Sequence, residues 1–144
     1  MSIRSETVIG SSVDRVWELT VDVESWPALT PTMTSVDRVD EGPLRVGSTA
    51  RVVQPRQRSA TWVVTRLDER SVFEWQTKVA TVTLVARHQL TEVPDGCRNT
   101  LTVDVSGFGS RLLGRLFGSR IHTAIETENA GFKRAAERDG VDRD

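Results

Sequence analysis

From Phe108 to about Arg138 the apolar positions Leu113, Phe117, Ile121, Ala124, Ile125, Phe132 and Ala136 recur near a period of about 3.6 residues. Arg111, Arg115, Arg120, Glu126, Lys133 and Glu137 fall largely between them. This spacing predicts one long terminal helix with a single apolar stripe. Such a stripe cannot be buried on its own helix, so a sheet must lie beneath it.

The rest of the chain supplies that sheet. Residues 3–9 alternate and read as a first strand, and Ser11 or Ser12 then starts a short helix. Val13, Val16, Trp17 and Thr20 form its buried face. The segment from Asp22 to Thr32, with Trp26 before Pro27, suits a short helical turn and a loop. Strands are expected near 33–39, 48–54, 60–67, 72–79, 81–92 and 98–106. Asp95-Gly96 marks a hairpin, whereas the junction at 79–81 carries no turn residue. The order is α+β: a curved antiparallel sheet of about six to seven strands wrapped around a long C-terminal helix, with one or two short helices after the first strand. Residues 1–140 read as a single domain and 141–144 as a frayed tail.

Composition narrows the partners. Nineteen basic and twenty acidic residues leave a net charge of −1, which speaks against a nucleic-acid binder. Only Lys78 and Lys133 are lysines; the arginines are scattered along the sequence and read as coding bias. Cys97 is the only cysteine, read as a small buried apolar residue, and no internal disulfide can form. Two histidines, one cysteine and no close His/carboxylate pairing make a metal site an unfavoured reading, and no cofactor fingerprint occurs. No apolar run approaches membrane-spanning length, so stable membrane insertion is not expected and a cytoplasmic location is. A homodimer is compatible with the sequence.

The order of elements resembles the START-like (SRPBCC) superfamily with its helix-grip fold. The segment Ser12-Val13-Asp14-Arg15-Val16-Trp17-Glu18-Leu19, Asp22 and Trp26-Pro27 carry part of the likeness. Gly47-Ser48-Thr49-Ala50-Arg51-Val52, Thr61-Trp62-Val63-Val64-Thr65, Phe73-Glu74-Trp75 and Ala86-Arg87-His88-Gln89-Leu90 are similar to strand segments of its polyketide cyclase/dehydrase group. The resemblance covers nearly the whole chain. It implies an apolar cavity between sheet and helix, with a mobile entrance segment near Trp26. It says little about activity, because that superfamily spans carriers, receptors and enzymes.

Alternation independently puts Phe73, Trp75, Thr77 and Val79 on one strand face, Val82, Leu84, Ala86, His88 and Leu90 on the next, and Leu101, Val103 and Val105 on a third. The candidate ligand-binding set is Trp26, Trp62, Phe73, Trp75, Thr77, Leu84, Ala86, His88, Leu101, Val103, Phe117, Ile121 and Ile125. His88 is the candidate catalytic base, with a hydrogen-bonded core histidine as the alternative. Trp17 reads as core, Trp26 as core or ligand gate, and His122 as surface. Glu74, Arg51, Arg87 and Asp104 point outward by phase.

The expected function is binding of a small hydrophobic molecule, polyketide-like, aromatic or lipid. The alternative is a polyketide cyclase/dehydratase using His88 as general base; an enolate-forming step also needs a donor, and the chain has no Tyr. A third reading is a quinone or lipid accessory protein at a membrane surface, suggested by the Asp22 to Pro31 loop and the basic face of 111–120.

Overall fold

In the computed structural model the alternating segments pair into one seven-stranded antiparallel sheet of order β1-β7-β6-β5-β4-β3-β2. The structure describes residues 1–142, with side chains for 1–138. The strands are β1 Ser2–Ile9, β2 Ser35–Arg38, β3 Thr49–Val53, β4 Ala60–Asp68, β5 Val72–Val79, β6 Val82–Val93 and β7 Gly96–Gly107. Helix α1 spans Val13–Val21, a 3-10 turn covers Val23–Ser25, α2 spans Trp26–Leu29, and α3 spans Ser110–Asp142. The terminal helix thus begins two residues later than Phe108 and runs past Arg138. The tail expected at 141–144 falls where no side chain is described, and residues 143–144 lie outside the described residues altogether.

Register fixes what faces the helix. Ala86 pairs with Trp75 on one side and Val103 on the other, and His88 pairs with Phe73 and Leu101. The residues of β5, β6 and β7 expected to share the inner face therefore do share it. In β4 the register shifts between Val64 and Arg66. The extra residue lets both Val64 and Leu67 reach the core, as a bulge does. On the outer face Glu74 accepts from Arg87 Nε and Thr65 Oγ1 at 2.8 and 2.9 Å, and Arg87 approaches Asp104 at 3.7 Å. The outward phase of these charges is as expected.

Two tight turns explain two sequence signals. The 79–81 junction is a two-residue hairpin between the paired Val79 and Val82, with Ala80 at φ 55°. Alanine stands where such a turn ordinarily uses Gly or Asn, at a cost of about 1 kcal/mol, so the sequence carries no turn signal there. At the other hairpin, Pro94 and Asp95 make the turn, while Gly96 at φ 139° already pairs with Val93. A Cβ on Gly96 would overlap the Ile9 carbonyl oxygen.

Helix α1 is capped by Ser12, whose Oγ accepts from the Arg15 amide at 3.1 Å. Helix α3 packs mainly on β1 and β7. Its C-terminal half is fastened by polar bonds: Asn99 Nδ2 donates to Asn129 Oδ1 at 2.9 Å, Asn129 Nδ2 to Ser5 Oγ at 3.1 Å, and Lys133 Nζ to the Val8 carbonyl at 2.9 Å. Gly131 brings α3 against α2, since a Cβ there would overlap the Leu29 carbonyl oxygen. The small residues Gly114 and Gly118 do not meet the sheet; they face the Met1 side chain.

Candidate functional site

The space between sheet and α3 divides into two parts. One is filled with rings. Trp26 lies at its centre, 2% exposed, within 5.0–5.8 Å (ring centroids) of Phe73, Trp75, His88 and Phe132. Phe73, Trp75 and His88 come from adjacent strands, and Phe132 descends from α3. Mostly edge-to-face geometry suits these rings, each such pair adding about 0.5–1.5 kcal/mol beyond its area. Trp26 Nε1 donates to the Leu19 carbonyl at 3.1 Å, so its one polar atom is satisfied. The loop expected around Trp26-Pro27 is instead the start of α2, with Pro27 in the first turn where its missing N–H costs nothing. Trp26 is a buried plug.

His88 belongs to this plug. It is 3% exposed and ringed by Trp26, Phe73 and Phe132 at 5.0, 5.6 and 5.6 Å. Its Nδ1 is buried without a hydrogen-bond partner, and no carboxylate offsets the loss of water. Burial pushes its pKa down to about 3, so it is neutral at ordinary pH. A base that weak is poorly matched to proton abstraction near pH 7.

The other part is less closed. Leu84 and Ala86 point inward from mid-sheet, yet both stay partly solvent-accessible, as do Ile121 and Leu113 on α3. Leu101, Val103 and Ile125 complete this apolar wall. Thr77 Oγ1 is spent on the Thr61 carbonyl at 2.7 Å. Trp62, half-buried, lies against Trp75 at 5.5 Å with its ring tilted by 35°, on the side of the aromatic part, and Ala86 borders both parts. Phe117 is not brought to this wall: it lies exposed under the Arg120 guanidinium, 5.8 Å from its ring centre. Where α3 passes the loop after α2, an open groove of about 430 Å³ is lined by Pro31, Thr32, Ser119, Arg120, Thr123, Ala124 and Thr127.

Sequence reasoning missed one group beside this groove. Glu128 is 8% exposed on α3, and Thr32 Oγ1 donates to its Oε1 at 3.2 Å. Burial pushes its pKa up to about 7, only partly opposed by the Thr32 hydroxyl. The signal was available: Ile121, Ile125, Glu128 and Phe132 are spaced by four, three and four, so Glu128 occupies a stripe position. Cys97 is fully buried as expected, which raises its thiol pKa. His122 is a surface residue as expected, but its Nδ1 lies 2.8 Å from Glu126 Oε1 one helical turn on, a close His/carboxylate pair where none was expected from the sequence. Among the described residues no group of acidic, His and Cys side chains could hold a metal. No described helix is long and apolar enough to cross a membrane.

A long helix gripped by a curved antiparallel sheet, with short helices plugging one end, defines the helix-grip class of α+β proteins. The chain belongs to the family described as polyketide cyclase / dehydrase and lipid transport, which it matches over residues 1–137. Solved structures agree on the fold. The protein TTHA0849 from Thermus thermophilus superposes with a TM-score of 0.76 at 16% identity, covering 96% of this chain and 98% of that one. The hypothetical protein jhp0584 from Helicobacter pylori gives 0.80 at 9% identity, covering 94% and 88%. The di-domain ARO/CYC StfQ from the steffimycin biosynthetic pathway gives 0.79 at 10% identity, covering 96% of this chain and 51% of that one. No curated protein matches the sequence.

Proposed function

We propose that this protein binds a small hydrophobic molecule against the Leu84, Ala86, Leu101, Val103, Ile121 and Ile125 wall, between the sheet and α3. One observation carries the reading: Leu84 and Ala86 sit on the inner face of β6, with bonded strands on both sides, yet keep contact with solvent. Inward-facing apolar surface that water can still reach is what a ligand gains by covering, at about 25 cal/mol per Å². The aromatic plug forms the closed end, and the family description is consistent with such a role.

The test is to fill the space from within. Ala86→Leu should weaken binding of a fluorescent apolar probe at least tenfold while leaving the thermal midpoint unchanged or raised. If the variant instead melts well below the parent, the volume was already occupied by the protein, and the reading fails.

A second reading is acid–base chemistry on the bound molecule, and Glu128 rather than His88 favours it. A carboxyl that titrates near 7 can both give and take a proton at working pH, and this one lies beside the groove. Glu128→Gln would then abolish turnover of a poly-β-keto substrate with probe affinity retained; turnover equal to the parent's excludes it.

A further inference from the structure

The arginines that look scattered along the sequence gather in the fold. Antiparallel pairing brings four segments to one end of the sheet: 30–35 before β2, 54–61 at the β3–β4 hairpin, 76–83 at the β5–β6 hairpin, and 105–125 from the end of β7 into α3. Thr34 N bonds to the Val53 carbonyl at 2.7 Å, and Thr81 Oγ1 to the Phe108 carbonyl at 2.7 Å, so these segments abut. They hold Arg56, Arg58, Lys78, Arg111, Arg115 and Arg120, all exposed, and no Asp or Glu. Among the described residues none of the six is in an ion pair. At the opposite end Asp14, Asp40, Glu41, Asp68, Glu69, Glu92 and Asp95 are interleaved with arginines, and ion pairs join Arg70 to Asp14, Arg38 and Arg45 to Asp40, and Arg66 to Asp68. What distinguishes the first end, in a chain with a net charge of −1, is that its cations have no acidic neighbours.

Large apolar side chains project from the same cationic end. Phe108 is 87% exposed, and Leu112 and Leu116 are each 61% exposed on the first turns of α3, with Val79 at the neighbouring hairpin tip. Single exposed apolar residues need no explanation, but several among unpaired cations do.

We infer that this end of the molecule docks on an anionic lipid surface, with Phe108, Leu112 and Leu116 entering the interface and the six cations facing the headgroups. Charge complementarity selects the surface, and the apolar tips favour a bilayer over a soluble polyanion, which would give phenyl and isobutyl groups nothing to enter. Leu84 and Ala86 lie in the part of β6 nearest the Val79/Val82 hairpin, on the same side of the sheet's length as these cations. Docking itself does not depend on what the interior binds.

Co-sedimentation with vesicles tests it. The protein should pellet with equimolar phosphatidylcholine/phosphatidylglycerol vesicles, remain in solution with phosphatidylcholine alone, and be released as salt shortens the screening length. Replacing Arg111→Gln and Arg115→Gln together should weaken binding roughly thirtyfold, since each cation near an anionic surface is worth about 1 kcal/mol. Arg66→Gln with Arg70→Gln at the far end should not. All four side chains are largely exposed, so folding is not at risk. In a Phe108→Trp variant the new indole should shift its emission to the blue on anionic vesicles. Absence of binding, equal binding to both vesicles, or an unshifted indole would overturn the inference. So would binding to heparin or an acidic peptide without binding to vesicles, which would assign the face to a soluble polyanion.

Discussion

Glu128→Gln should alter stability little below pH 4.5 and increasingly above it, so its signature is a changed dependence on pH. In the native protein the carboxyl titrates near 7 against an ordinary value of 4.5. A raised carboxyl pKa means the native state holds its proton longer than the unfolded chain. Stability is therefore full below pH 4.5 and falls as pH rises toward 7, by about 3 kcal/mol at most, at about 1.4 kcal/mol per pH unit. His88 works in the opposite sense. Its native pKa of about 3 lies below the ordinary 6.5, so its share of stability is full above 6.5 and is lost as pH falls toward 3. Between 4.5 and 6.5 the unfolded chain binds a proton at His88 and releases one at Glu128, and the two slopes nearly cancel. The parent should be almost indifferent to pH in that window. The Gln variant, which keeps the acceptor for Thr32 but cannot ionise, should gain about 1 kcal/mol per pH unit as pH rises through it. Urea unfolding followed by fluorescence of the four tryptophans, at half-unit steps of pH, measures both curves. Parallel curves for parent and variant would refute the reasoning for Glu128, and a variant curve flat between pH 4.5 and 6.5 would refute it for His88.

Two further outcomes follow from the backbone. Gly131→Ala should destabilise by about 2 kcal/mol or more, although alanine in an open helix gains about 1, because the new methyl meets the Leu29 carbonyl and pushes α2 off α3; a neutral or stabilising effect in a chemical melt would show that the approach is slack. Ala80→Gly should stabilise by up to about 1 kcal/mol by relieving the positive φ at the β5–β6 turn, and a lower thermal midpoint would count against strain there.

The inner faces of β5, β6 and β7 were legible because a period of two is hard to disguise: Phe73, Trp75 and Thr77, then Leu84, Ala86 and His88, fall where alternation places them. The fold followed from the one long amphipathic segment that needed a sheet. The site was less legible, for three distinct reasons. Trp26 read as a loop residue since Pro27 signals a break; yet proline in a first turn starts a helix equally well, and only tertiary packing decides which ring it carries inward. Glu128 sat on the stripe but was passed over, because a carboxylate in a helix is usually a solvated face. The basic end was legible only in part: the basic face of 111–120 stands out in the sequence, whereas Arg56, Arg58 and Lys78 join it only through antiparallel turns at the same edge.

Helix α3 is held unevenly. Asn129 and Lys133 are tied to Asn99, Ser5 and Val8, whereas the turns carrying Leu112 and Leu116 touch little of the sheet. The rod is thus clamped by buried amides at one end, and at the other rests on Leu113, on Met1 beneath Gly114, and on the Thr81–Phe108 bond. Any parting of helix from sheet would therefore begin beside Leu84 and Ala86, with the aromatic end the last to yield.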